Sequence, residues 1–215
     1  MNDAEPTPLP AVIPLFPLSG ALLLPHGSLP LHVFEPRYVA MLNDASATDR
    51  VIGMIQPADP GDPSENPALY RVGCVGRITQ ESETSDGKRY FTLTGVSRFL
   101  LGEELPLHMG YRRSTVQYDR FAEDQGPQGK YEVETAPLLN AVQIYFGARG
   151  FAADWEAVRK MPGEALVNLL AMMCPFAPAE KQSLLEAETL IDRAQVLAAL
   201  LSLDSQTHQT AALVQ

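Results

Sequence analysis

Hydrophobic residues follow two different periods along the chain, and the change between them marks its organisation. Up to residue 121 they come in short runs or alternate with polar residues, which is typical of β-strands. After residue 130 they recur every three to four residues, which is typical of amphipathic helices. The polar, glycine-containing segment 122–130 between them is predicted to be a linker. The pattern predicts an α+β chain with a β-rich subdomain over 1–121 and a helical subdomain over 131–215.

The β-rich part is predicted to contain six or more short strands and one helix. The segments that favour strands are 12–18, 21–24, 29–34, 51–56, 70–78, 89–94, 96–101 and 111–121. Apolar residues spaced i, i+3, i+4 and i+7 after Pro36 predict a helix over 36–46. Asp86-Gly87 favours a tight hairpin turn, and the proline-rich segment 57–69 is predicted to be a mobile surface loop.

The helical part is predicted to contain four or five helices, most of them short. The segments that predict them are 131–147, 155–161, 162–173, 178–186 and a last helix that begins near residue 189. Asp154 is a typical N-cap, and Thr189 with Asp192 resembles a capping box, so both residues mark predicted helix starts. The second half of the chain is therefore expected to form a helical bundle.

The charge of the chain argues against binding to nucleic acid. It carries 26 acidic and 16 basic residues, a net charge of −10, and the excess of acid is present in both parts. Binding to phosphate backbones requires clustered Lys and Arg. Arg112-Arg113 with Tyr111 and Tyr118 is the nearest approach to such a cluster, but adjacent residues on a strand point to opposite sides. Nucleic acid is thus an unfavoured partner.

The cysteines and the apolar segments indicate a cytoplasmic protein. Cys74 and Cys174 are too few for a disulfide framework and have no Cys or His neighbours at metal-binding spacing, so two buried free thiols are expected. The first ten residues lack the basic start and apolar run of a signal peptide. No apolar stretch approaches the roughly 20 residues that span a bilayer, so we expect no membrane association.

Motifs that would indicate catalysis are absent from the sequence. No GxxxxGK[ST] phosphate loop, GxSxG elbow or HExxH zinc box occurs. His26 and His32 are six residues apart, which fits no zinc motif, and the acidic pairs Glu103-Glu104 and Glu123-Asp124 are predicted to be solvated. The sequence therefore predicts no catalytic residue, no cofactor and no metal.

Several stretches taken in order resemble the N-terminal domain of the ATP-dependent Lon protease. They are 13–18 (IPLFPL), 24–31 (LPHGSLPL), 34–38 (FEPRY), 69–78 (LYRVGCVGRI), Asp86-Gly87, 95–99 (GVSRF), 178–186 (PAEKQSLLE) and 191–193 (IDR). The resemblance runs from about Val12 to Leu203. It implies a PUA-like β-rich subdomain followed by a helical bundle, and recognition of polypeptide without cleavage.

The chain ends where the family's ATPase and peptidase modules would follow, so the resemblance predicts a stand-alone, non-catalytic bacterial form that acts as an adaptor or holdase. The expected partners are unfolded or exposed polypeptide segments, together with a protease or chaperone. Because PUA-like folds also bind RNA, an RNA-binding module is the alternative.

The candidate polypeptide-binding residues are Leu31, Val33, Phe34 and Tyr38. We expect a groove where the extended segment 29–34 and the loop 57–69 meet the sheet, because an edge strand can accept an extended chain. A purely structural role is the competing interpretation, in which Phe34 and Tyr38 belong to the core. Arg77 and Arg98 are then expected to pair with acids such as Glu35.

Overall fold

The computed structural model describes residues 8–84, 88–129 and 132–213 and confirms an α+β fold. Its strands are β1 (Val12–Pro17), β2 (Ser28–Val33), β3 (Val51–Ile55), β4 (Val72–Glu83), β5 (Arg89–His108) and β6 (Tyr111–Gln117). Its helices are α1 (Pro36–Ala47), α2 (Ala136–Arg149), α3 (Trp155–Lys160), α4 (Gly163–Met173), α5 (Pro178–Glu186) and α6 (Leu190–Leu213), with a 3-10 segment at Asp119–Gln125.

Five of the six strands close into a barrel. β1 pairs in parallel with β3, and the ring continues through antiparallel pairs β3–β4, β4–β5, β5–β6 and β6–β1. The 20-residue strand β5 makes this closure possible, because its first part pairs with β4 and its last part with β6. β2 pairs with the beginning of β5 outside the ring. The sequence predicted two strands, 89–94 and 96–101, where the structure has this single long one.

The interior of the barrel is a small apolar core to which each of its five strands contributes. Its buried members are Ile13, Leu15, Val51, Ile55, Val75, Phe99 and Val116. Phe99 fills the space beside Gly53 and Gly73: a Cβ atom at Gly73 would overlap the Phe99 ring, and one at Gly53 would overlap Ile13 and crowd the ring. The two glycines therefore leave room for one large aromatic side chain in a narrow barrel.

A second and larger core joins the barrel to the helices. It contains buried residues of α1 and of the helical part, including Tyr145, Leu166, Leu184 and Leu197. Leu22, Leu23 and Leu24 belong to this core and are almost completely buried, but they form no strand. The predicted strand 21–24 is therefore wrong, because three consecutive apolar residues here signal burial in a connecting segment rather than strand pairing.

The predicted linker 122–130 is packed more closely than its composition suggests. Its first residues belong to the 3-10 segment, and the Asp124 carboxylate accepts hydrogen bonds from Arg98 in β5. The division into separable units, 1–121 and 131–215, stays a prediction that limited proteolysis can test. The hairpin turn predicted at Asp86-Gly87 lies outside the described residues.

Two of the predicted helix starts are confirmed by capping hydrogen bonds. The Asp154 carboxylate accepts hydrogen bonds from the backbone N–H groups of Glu156 and Ala157. The Thr189 hydroxyl oxygen accepts from the Asp192 N–H, and the Asp192 carboxylate accepts from the Thr189 N–H. No helix within the described ranges has the length and apolar character needed to cross a bilayer.

Tyr145 is buried in the larger core with a hydroxyl group that finds no hydrogen-bond partner among the described residues. We expect Tyr145→Phe to raise the free energy of unfolding by about 1 kcal/mol, because an unpaired buried hydroxyl costs free energy. Urea denaturation at pH 7 measures the effect. The matched control is Tyr118→Phe, which removes a hydrogen bond to the Pro10 carbonyl oxygen at 3.0 Å and should lower stability. An equal loss in both variants would contradict the expectation.

The same substitution should change the response to alkaline pH. Burial raises the pKa of Tyr145 to about 12, so the folded protein holds the phenolic proton more tightly than the unfolded chain does. This contribution to stability is present below pH 10, the ordinary pKa of tyrosine, and is lost as the pH rises towards 12. The free energy of unfolding of Tyr145→Phe should therefore fall less steeply above pH 10.

Candidate functional site

The predicted site residues of β2 lie on two opposite faces of the strand. β2 pairs antiparallel with β5, which sets Leu31 opposite Phe91 and His32 opposite Tyr90. Because side chains alternate along a strand, Leu31 and Val33 face the core, where Val33 is buried and Leu31 is half-buried. Leu31 and Val33 therefore pack in the larger core and are not available to a ligand on the outer face of β2.

An exposed aromatic surface is formed by His32 on the opposite face of β2, Phe34 directly after the strand, and Tyr90 of β5. The His32 ring lies 6.1 Å from the Phe34 ring in a stacked arrangement and 5.8 Å from the Tyr90 ring, measured between centroids. Phe34 is 66% exposed and Tyr90 is 42% exposed. The interpretation of Phe34 as a core residue is therefore wrong, because its side chain stands in solvent directly after the end of β2.

Tyr38 lies apart from the aromatic surface, on the side of α1 that faces the loop 57–69. Its ring packs against Phe16 at 4.6 Å, and the Arg37 guanidinium lies 4.7 Å from its centroid. Burial raises the pKa of the Tyr38 hydroxyl above its usual value. Tyr38 lines a cleft of about 170 Å³ together with loop residues such as Pro57 and Pro67.

The loop 57–69 is tied to this side of the molecule by two arginines. Arg112 donates to the Pro67 carbonyl oxygen at 2.6 Å, and Arg37 donates to the Glu65 carbonyl oxygen at 3.4 Å. The groove expected between 29–34 and this loop thus corresponds to two separate features, the aromatic surface around Phe34 and the cleft beside Tyr38.

Arg112 is buried, which bears on the RNA alternative. Its guanidinium donates to both carboxylate oxygens of Glu104, so the pair is neutral as a whole. Glu104 is exposed, as expected, but it also has an ion-pair partner, because β5 and β6 bring it beside Arg112. Glu104 neutralises the nearest candidate for a basic surface.

The arginines expected to pair with Glu35 have other partners. Glu35 forms an ion pair with Arg37, and Arg77 donates to the Asp49 carbonyl oxygen. Arg98 pairs with Asp124, and both side chains are at least 90% buried. Asp124 was expected to be solvated, and this is wrong because the 3-10 segment folds it onto β5.

Of the four predicted site residues, Phe34 alone is largely exposed, and the structure adds His32 and Tyr90 to it. The period of two along β2 could have indicated His32, because it shares a face with Phe34. Tyr90 could not have been found without the register of β2 on β5. No group of metal-ligating side chains occurs in the part of the chain that the structure describes.

Residues 12–202 match the sequence model of the ATP-dependent protease La (LON) substrate-binding domain. The chain belongs to this family. The match covers the resemblance noted in the sequence, from the first strand to α6. It concerns the substrate-binding part of that protease and includes no peptidase module.

Curated relatives and solved structures agree with this assignment. The Lon protease of Anaeromyxobacter dehalogenans and Lon protease 2 of Myxococcus xanthus are each 29% identical over 202 residues, 90% of this chain. The chain spans about a quarter of their length, 23% and 24%.

The Lon N-terminal domain protein of Xanthomonas campestris superposes with a TM-score of 0.63 at 22% identity, covering 87% of this chain and 97% of that one. The N-terminal domain of a Mycobacterium avium complex Lon protease superposes with a TM-score of 0.60 at 15% identity, covering 89% of this chain and 98% of that one. These two structures show that the fold is shared.

Proposed function

We propose that this protein recognises exposed polypeptide segments, and that the aromatic surface of His32, Phe34 and Tyr90 takes part in the contact. Membership of the family supports polypeptide as the ligand class. The observation that carries the location is the clustering of three exposed rings on β2, on the residue directly after it and on β5. Exposed aromatic side chains that stand together provide apolar area at low entropic cost, which is a common feature of protein-binding surfaces.

β2 suits an extended ligand. It is paired with β5, and no second strand pairs with it among the described residues. Pro30 occupies its middle, and proline is tolerated in edge strands because it has no N–H group to offer to a neighbouring strand. We infer that a bound segment lies along β2 and packs its apolar side chains against the aromatic surface. Because Pro30 interrupts the backbone hydrogen bonds, these side-chain contacts contribute more to the binding free energy than the backbone does.

The test compares Phe34→Ala with Met173→Ala for binding to a fluorescently labelled unfolded polypeptide. Phe34→Ala should weaken binding about tenfold, the effect of losing one aromatic anchor. Thermal stability should change little because the ring is 66% exposed. Met173, 74% exposed in α4, is the matched control and should leave binding unchanged. Equal affinities of the wild-type protein and Phe34→Ala for the polypeptide would show that the aromatic surface takes no part in binding.

The proposed role is non-catalytic, that of an adaptor or holdase that works with a protease or chaperone in the cytoplasm. The absence of a phosphate loop and of a recognisable nucleophile motif in the sequence supports it. Turnover of ATP or of unfolded casein by the purified chain, abolished by a point substitution in it, would contradict this part. RNA binding gains no support from the structure, because Arg112 is buried against Glu104.

A further inference from the structure

A cavity of about 260 Å³ lies where the barrel, the 3-10 segment and two helices meet, and it shares no lining residue with the proposed polypeptide surface. The segment that connects β1 to β2 contributes Pro25 and His26 to its wall, β5 contributes Arg98, and α4 contributes Glu164. The beginning of α6 contributes Ile191 and Arg193. The cavity is thus built from both parts of the chain.

Arg193 is the unusual feature of this wall. Its side chain is 95% buried, its Nε donates to the Leu184 carbonyl oxygen at 3.0 Å, and its Nη1 donates to the Asn168 side-chain oxygen at 3.3 Å. Nη2 makes no hydrogen bond with any described residue, and no described carboxylate lies within ion-pair distance. Burial lowers the pKa of this guanidinium to about 10. A buried cation of this kind is costly unless an anion compensates it.

The acidic residues of the same wall are engaged elsewhere. Both oxygens of Asp124 accept hydrogen bonds from Arg98 at 2.8 Å. Glu164 accepts from the Gly129 N–H through one oxygen, while its other oxygen lies 2.7 Å from His26 Nδ1. Glu188 lies 3.8 Å from Arg120 and is 80% exposed, and Glu123 is an exposed residue of the rim. Among the described residues, Arg193 is therefore the one cation of the cavity wall with no carboxylate within ion-pair distance, and Asp124 and Glu164 attract it only from farther away.

The rest of the wall is mainly apolar. Pro25, Pro127, Leu190 and Ile191 line it, and Ile191 is 51% exposed. At roughly 30 Å³ per water molecule, the cavity is large enough for a group of several heavy atoms rather than a single ion.

We propose that this cavity binds a carboxylate that carries a short apolar group, with the carboxylate accepting from Arg193 Nη2 and the apolar group packed against Leu190 and Ile191. Such a group occurs in a free branched-chain carboxylic acid and in the C-terminal residue of a polypeptide. The inference is independent of the aromatic surface, and it makes the junction between the two parts of the chain a ligand site.

The test titrates the full chain with N-acetyl-leucine, with the neutral N-acetyl-leucinamide and with 4-methylpentanoate, using the side-chain 15N resonance of Arg193 Nε and calorimetry. We expect saturable binding of at least one acid with a Kd of about 1 mM or lower, a shift of the Arg193 resonance, and at least tenfold weaker binding of the amide. Tighter binding of N-acetyl-leucine indicates a chain terminus, and tighter binding of 4-methylpentanoate indicates a free acid.

Ile191→Glu is the decisive variant, because it places a negative charge at the rim of the cavity, the same sign as the ligand carboxylate, and leaves Arg193 itself unsubstituted. It should weaken binding of the acids about tenfold or more, through like-charge repulsion. The control is Ile144→Glu in α2, because Ile144 is 49% exposed and Ile191 is 51% exposed. This control should leave binding unchanged. Equal affinity for acid and amide, unchanged affinity in Ile191→Glu, or no saturation of any probe below about 10 mM would overturn the proposal.

Discussion

Replacing Asp124 by asparagine should lower the free energy of unfolding by about 3 kcal/mol, because it leaves the Arg98 charge buried without its partner. Asp124 accepts from Nε and Nη2 of Arg98, both at 2.8 Å, and from the Arg98 backbone N–H at 2.9 Å. Arg98 also donates to the carbonyl oxygens of Leu185 and Glu188 at the end of α5. The pair thus holds together the barrel, the 3-10 segment and the helical part.

Urea denaturation measures this loss, and Glu156→Gln is the matched control. Glu156 forms an ion pair with Lys160 in which both side chains are more than 70% exposed, so its neutralisation should cost less than about 0.5 kcal/mol. If Asp124→Asn were no more destabilising than Glu156→Gln, the buried pair could not be what joins the two parts.

Replacing Gly95 by alanine should destabilise the protein by about 3 kcal/mol, because a Cβ at this position would overlap the carbonyl oxygen of Leu24. Gly95 N–H donates to the Gly27 carbonyl oxygen at 2.8 Å, and the His26 N–H donates to the Gly95 carbonyl oxygen at 2.9 Å. These bonds fix the connecting segment against β5, so neither backbone can move away freely.

Gly147→Ala is the matched control for this substitution. Gly147 lies inside α2, and a Cβ there would meet nothing within 4 Å. Alanine in a helix interior is favoured over glycine by about 0.5–1 kcal/mol, so this variant should become more stable. Thermal unfolding of the two variants should therefore shift in opposite directions, and shifts of equal sign and size would contradict the account.

Local signals in the sequence predicted most of the helices. The caps at Asp154 and Thr189 involve hydrogen bonds to residues no more than three positions away, so the local sequence is sufficient to predict them. The continuity of β5 could not be predicted, because Gly95 interrupts the strand pattern and its role is a close contact with a distant segment. Closure of the barrel depends on the β5–β6 pairing, whose register is set by tertiary contacts.

The candidate site was only partly predictable for a similar reason. Phe34 was found because it ends an apolar extended segment, but Leu31 and Val33 were grouped with it although they occupy the other face of β2. The ion pairs of Arg98 and Arg112 join residues 26 and 8 positions away in sequence, and nothing in the residue types specified those partners.

Recognition of polypeptide through apolar surface can be distinguished from RNA binding by a pair of titrations. A labelled unfolded polypeptide and a single-stranded RNA are each titrated into the protein at two salt concentrations, with calorimetry at two temperatures. The polypeptide should bind with a negative heat-capacity change, and its affinity should fall little when salt is added, because burial of apolar surface drives the association. Tight RNA binding that weakens steeply with salt, with no polypeptide signal, would contradict recognition of polypeptide.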